Sequence, residues 1–236
     1  MTDDTMTDPT RELAAEYAQR RDQVKAPPGW RDDLKSPLHA VDQAMKVSLD
    51  VERQLADVRH KVERGVIHRD QGTVQRQHII DAAKNQVTGF LETGRKVMHA
   101  LPARITSKAW PDVVPKGLDW DTLAMEWESV SPDDAVQTFS MMVNDNIGRG
   151  DITAAQGLMS RRGRALLATT IGKSQTDEVW DDLRRDATEA LGRVGDGANA
   201  EPGVALGQVD AVERAFTLGS NLADMLLEQN TAGRGV

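Results

Sequence analysis

The sequence of 236 residues contains no cysteine, few aromatic residues and no long apolar run. The absence of cysteine excludes disulfide bonds, a thiol nucleophile and a cysteine-ligated zinc ion. No apolar segment approaches the roughly 20 residues that a membrane-spanning helix needs. Residues 1–8 are acidic and polar, unlike a secretory signal. We therefore expect a cytoplasmic protein, or part of an assembly made in the cytoplasm (a virion if the protein is viral), without membrane contact.

The core composition is aliphatic and rich in alanine. The chain has five Trp, three Phe and one Tyr against 27 Ala. Alanine favours helices and is depleted in strands. This composition predicts an all-α fold.

Charge is distributed unevenly along the chain. The formal net charge is −8, which argues against a surface that wraps nucleic acid. Residues 37–104 carry a net +3 and all five histidines, whereas residues 105–147 carry −6. These two segments could attract each other within one chain or between subunits. The alternative is that each charged helix face is only solvated.

Apolar residues recur at spacings of three and four and predict about seven helices. Two long stripes, Leu38 to Val62 and Ile80 to Leu101, predict an antiparallel helical hairpin over residues 37–104. Gly65 would form its turn, and Pro102 would end its second helix.

The remaining chain divides into three predicted segments. Residues 1–36 form an N-terminal arm, a helix followed by a Pro-rich linker, and residues 105–194 form a second helical cluster. Within that cluster, Thr153 and Gln156 match a capping box for a helix that reaches about Ile171. Residues 195–236 form a Gly-rich linker and a C-terminal docking helix.

Two sets of apolar residues are candidate partner interfaces. Trp120, Leu123 and Trp127 share one side of a short predicted helix, and tryptophan is enriched at interface hot spots. The alternative is that both tryptophans pack in this chain's own core. Phe216, Leu222 and Leu226 follow a heptad-like spacing on the C-terminal helix.

Five arginines form the strongest basic clusters, and on helices they could bind phosphate or an acidic partner. No aromatic residues interleave with Arg161 to Arg164, so base stacking on a single strand is unsupported. Nucleic acid therefore stays an alternative that the sequence does not favour. The five are Arg161, Arg162, Arg164, Arg184 and Arg185.

No motif for catalysis, a metal or a cofactor emerges. Gly172-Lys173-Ser174 resembles the end of a phosphate loop, but Leu167 stands where that motif requires glycine. The histidines do not form a zinc motif, and the acidic clusters do not match a calcium loop. We predict no metal, cofactor or small-molecule ligand.

Several general features of the chain occur together. They are 20 Arg against nine Lys, 27 Ala, no Cys, the predicted hairpin over 37–101 and the polar ends. This combination resembles that of virion and assembly proteins of tailed bacteriophages with high-GC hosts. The resemblance is compositional and has no signature motif. It implies a capsid-associated, connector or scaffold-like role in a virion and assigns no specific residue.

The leading prediction is a non-enzymatic structural or assembly protein that acts through helix–helix contacts, as a homo-oligomer or in a larger assembly. A helical adaptor or regulator that binds nucleic acid or an acidic partner through the arginines is the alternative. An enzyme whose site is built by oligomerisation is the third.

Overall fold

A computed structural model describes residues 8–111, 118–195 and 197–232. Within these ranges all regular structure is helical, which confirms the predicted all-α class. The described part has ten α-helices rather than about seven. They are α1 (Asp8–Gln23), α2 (Arg31–Glu63), α3 (Arg69–Ala109), α4 (Trp120–Trp127), α5 (Ala135–Gly148), α6 (Ile152–Leu158), α7 (Arg161–Ile171), α8 (Lys173–Val194), α9 (Gly197–Gly207) and α10 (Val209–Thr231), with a short 3-10 helix at Pro28–Trp30. Among the described helices, none is long and apolar enough to cross a bilayer.

The chain forms two compact units that group residues differently from the four predicted segments. Unit 1 comprises Met1–Lys25, Asp32–His99 and Asp210–Val236, and unit 2 comprises Ala26–Arg31 and Ala100–Val209. Each unit therefore combines elements that are distant in sequence.

Helices α2 and α3 lie side by side in unit 1, where residues 43–61 of α2 and residues 74–90 of α3 line common grooves. The α2 stripe is buried at Val41, Val51, Leu55 and Val58. Gly65, with φ of 70°, forms the predicted turn, and its N–H donates to the Val62 carbonyl at 2.9 Å. A left-handed glycine of this kind satisfies carbonyls that the helix end would leave unpaired.

Pro102 does not end α3 as predicted, because the helix continues to Ala109. Proline removes one backbone donor and disfavours a helix interior. Leu101 and Ile105 are almost fully buried on either side of it, and this packing outweighs the local preference. At the start of the hairpin, α2 likewise begins at Arg31 and includes Pro37.

Helix α10 packs against the hairpin in unit 1. The Ser48 hydroxyl donates to the Ala223 carbonyl at 2.9 Å, and the Asn230 amide donates to the Ser48 carbonyl at 2.9 Å. A Cβ atom at Gly94 would lie 2.5 Å from the Phe216 ring. Only glycine lets this ring approach the helix backbone.

Helix α1 also packs within unit 1. The Tyr17 hydroxyl donates to Asp42 at 3.1 Å, and Arg21 pairs with the same carboxylate at 2.8 Å. Burial, together with the Asp42 charge, raises the pKa of Tyr17 above its ordinary value. The described parts of both terminal segments thus contact their own chain.

The predicted Gly-rich linker at residues 195–203 is largely helical, because α9 spans Gly197–Gly207. Its close neighbour is α8. A Cβ atom at Gly203 would lie 2.2 Å from the Gly192 backbone nitrogen. The glycines that suggest a flexible linker instead allow two helix backbones to touch.

Replacing Gly203 by alanine therefore tests the α8–α9 contact. Gly203→Ala should destabilise the protein by about 1–3 kcal/mol, because backbone atoms cannot yield to the new methyl group. Gly207→Ala is the matched control, since nothing lies within 4 Å of its Cβ position. Thermal unfolding followed by circular dichroism measures both variants. Equal stability of Gly203→Ala and wild type would contradict the contact.

Candidate functional site

The candidate site lies between α7 and α8 in unit 2. Helix α7 starts at Arg161 because Ser160 caps it: the Ser160 hydroxyl accepts from the Arg162 N–H at 3.2 Å. A Cβ atom at Gly163 would lie 1.7 Å from the Leu158 carbonyl oxygen, so this first turn requires glycine. The predicted single helix from Thr153 to Ile171 is thus two helices.

The capping box predicted at Thr153 and Gln156 is wrong, because Thr153 is not the residue that caps the helix. Asp151 caps α6 instead, and its carboxylate accepts from the Ala154 N–H at 3.0 Å. Aspartate satisfies the same unpaired donors of a helix start that threonine would.

Helices α7 and α8 are joined by Gly172 alone. Its φ of 82° ends the helical backbone of α7, and its carbonyl accepts from the Thr176 N–H at 3.1 Å in the first turn of α8. Gly172 therefore belongs to a helix terminus rather than to a phosphate loop. The sharp corner brings the side chains of both helices to one cleft.

This basic cleft has a volume of about 800 Å³. Four cationic side chains and one carboxylate line it, a surplus of three positive charges. Its polar and aromatic lining consists of Arg161, Arg164, Thr169, Lys173, Thr176, Asp177, Trp180 and Arg184. Cations gathered around a concave surface concentrate positive potential there.

Two of the four cations are held in place. The Arg164 guanidinium donates to Asp177 at 2.7 Å and lies 5.8 Å from the centre of the Trp180 ring. The Arg184 guanidinium donates to the Trp110 carbonyl. Fixed guanidinium groups lose little entropy when they bind an anion.

The other two cations, Arg161 and Lys173, are exposed. Among the described residues neither has an acidic partner within ion-pair distance. Their charges are therefore available to a ligand that enters the cleft.

Two of the predicted arginines lie elsewhere. The Arg162 guanidinium lies 4.8 Å from the centre of the Trp120 ring, and Arg185 is paired with Glu189 at 3.6 Å. The structure thus brings together three of the five predicted arginines. Lys173 also lines the cleft but is not among the residues predicted for the site, although it belongs to the rejected phosphate-loop motif.

The predicted partner-interface residues of α4 are mostly inside unit 2. Leu123 and Trp127 are buried, and Trp120 is partly buried. The Trp127 ring meets the Phe139 ring edge-on at 5.8 Å. This placement corresponds to the alternative in which the tryptophans belong to the chain's own core.

The predicted interface residues of α10 are also covered by the chain itself. Phe216, Leu222 and Leu226 are 5, 2 and 1% exposed. Packing within unit 1 therefore already covers these three side chains.

The described residues contain no group of three or more His, Asp or Glu side chains arranged to hold a metal ion. Comparison with protein-family models, with curated proteins and with solved structures found no match.

A core position for Trp127 makes a direct prediction about stability. Trp127→Ala should cost about 3–5 kcal/mol, because it removes a large buried side chain and leaves a cavity. Met125→Ala on the same helix should change stability by less than about 0.5 kcal/mol, since Met125 is 66% exposed. Urea unfolding measures both variants. A Trp127→Ala variant as stable as Met125→Ala would show that Trp127 is not a core residue.

Proposed function

We propose that this chain is a non-enzymatic assembly or adaptor protein that binds an acidic segment of a protein partner in the basic cleft. The supporting observation is the set of four cations and one carboxylate around one concave surface. In the setting that the compositional resemblance implies, the partner would be another protein of a phage particle. The cleft, rather than the tryptophans of α4, is the proposed contact surface for this partner.

The surroundings of the cleft favour a peptide over nucleic acid. Exposed carboxylates at Asp181, Asp182 and Asp186 flank the cleft residue Arg184 on α8, and they would repel a continuous phosphate backbone. Trp180 is only 4% exposed, so a base cannot stack on its face. A polypeptide needs to place only a few carboxylates near the cations.

Guanidinium groups suit carboxylates because they offer paired donors in one plane. Arg161 can move to meet such a group, and Arg164 and Arg184 hold their positions beside it. Lys173 adds a point charge from the first residue of α8. Binding should weaken strongly as salt rises, since much of the attraction is between exposed charges.

A fluorescein-labelled oligoglutamate peptide is the probe, and fluorescence anisotropy is the measurement. Arg161→Glu and Lys173→Glu should each weaken its binding by about tenfold or more, the magnitude of one lost charge-assisted hydrogen bond. Raising salt from about 50 to about 200 mM should weaken the wild-type complex.

Arg185→Glu is the matched control, because it makes the same charge change on α8 outside the cleft. It should weaken binding far less than Arg161→Glu. Equal weakening by the two variants would refute a site-specific cleft. Tighter binding of a single-stranded DNA of similar charge than of the peptide would replace the acidic partner with nucleic acid.

A further inference from the structure

The distal part of the hairpin is a basic surface that the cleft does not involve. We define the basic tip as residues 53–78, the end of α2, the turn and the start of α3. It contains six Lys or Arg, three Asp or Glu, and three of the five histidines. Two hydrogen bonds between α2 and α10 involve Ser48, which precedes the tip.

The basic tip also exposes apolar side chains. Val66 and Val74 are 67 and 69% exposed. A groove of about 800 Å³ between α2 and α3 is lined by Val58, Val74 and Ile79, with Arg53, Lys61 and His78 among its polar residues. Exposed valines beside cations are typical of a contact surface with a partner.

Unit 2 carries a surface of the opposite character. We define the acidic face as residues 118–134, which contain six carboxylates and no Lys or Arg. All six acidic residues are exposed. Hydrogen bonds from Thr122 lower the pKa of Asp119, so this carboxylate keeps its charge in mildly acidic solution as well.

Met125 lies 66% exposed in the middle of the acidic face. Its neighbours include Glu126 and Glu128. Methionine is flexible and adapts its shape to an apolar partner. The acidic face thus pairs carboxylates with an exposed apolar side chain, as the basic tip pairs cations with exposed valines.

We propose that the basic tip of one copy docks on the acidic face of a second copy, with Val66 and Val74 against Met125. The net charge of the chain is −8 and that of the tip is +3, so the rest carries −11. The tip of one molecule is therefore attracted to the body of another, and the six exposed carboxylates of the acidic face outnumber the Arg162 guanidinium that lies over Trp120.

The two surfaces are different, so the contact is head-to-tail. Such an interface closes into a ring when the rotation permits and otherwise continues as a filament. This inference does not rest on the basic cleft, and variants of the cleft should leave self-association unchanged.

Light scattering over a range of concentrations tests the proposal with two charge-reversed variants of the full chain. The tip variant carries Arg64→Glu and Arg76→Glu. The face variant carries Glu126→Lys and Glu128→Lys, at the end of α4 where lysine suits the helix dipole. The average molar mass of wild type should rise with concentration at low salt and return to that of a single chain at about 1 M salt.

Each variant alone should associate at least about tenfold more weakly than wild type, because like charges then face each other. An equimolar mixture of the two should associate again, since each reversed surface meets its complement. Lys84→Glu with Lys96→Glu is the control: it makes the same charge change on α3 outside the tip and should associate like wild type. Circular dichroism checks that helicity is retained.

Three outcomes would overturn the proposal. The first is a wild-type mass of one chain at every concentration. The same mass would result if the tip docked on the acidic face of its own molecule, and this too would contradict the proposal. The second is a mixture of the two variants that stays dissociated. The third is a control that associates as weakly as the tip variant.

Discussion

The organisation of unit 2 depends on a reciprocal pair of contacts between Trp110 and Arg184. The Trp110 indole is fully buried, and its N–H donates to the Arg184 carbonyl at 3.2 Å and to the Thr188 hydroxyl at 2.8 Å. A buried indole N–H needs such an acceptor. The Arg184 guanidinium donates in return to the Trp110 carbonyl. These contacts join the end of α3 to the middle of α8 and fix one cation of the basic cleft.

Much of the helical architecture could be predicted from periodicity and turn chemistry. The hairpin stripes and the turn at Gly65 follow from residues that are close in sequence, so local patterns were sufficient. Pro102 and the glycines near α9 misled the sequence argument because their effects depend on tertiary packing. Buried Leu101 and Ile105 keep α3 intact, and a backbone contact uses the glycine that local rules assign to a linker.

The candidate site could be predicted only in part. Sequence identified the arginines as a group, but the corner at Gly172 determines which of them share the cleft. Arg162 and Arg185 are neighbours of cleft residues in sequence, yet one lies over Trp120 and the other pairs with Glu189. Helix α4 could not be interpreted from the sequence alone. The spacing of Trp120 and Trp127 is compatible with either an interface or a core, and only the packing in the structure distinguishes the two.

The central claim is that an acidic partner is recognised by the geometry of one cleft rather than by the arginine content of the chain. Nitrogen-edited NMR of the arginine side chains during titration with the oligoglutamate peptide tests it most directly. The account predicts that the Nε–H signals of Arg161, Arg164 and Arg184 shift while that of Arg185 stays in place. Equal shifts of all arginine signals, or a larger shift at Arg185 than at the cleft arginines, would contradict it.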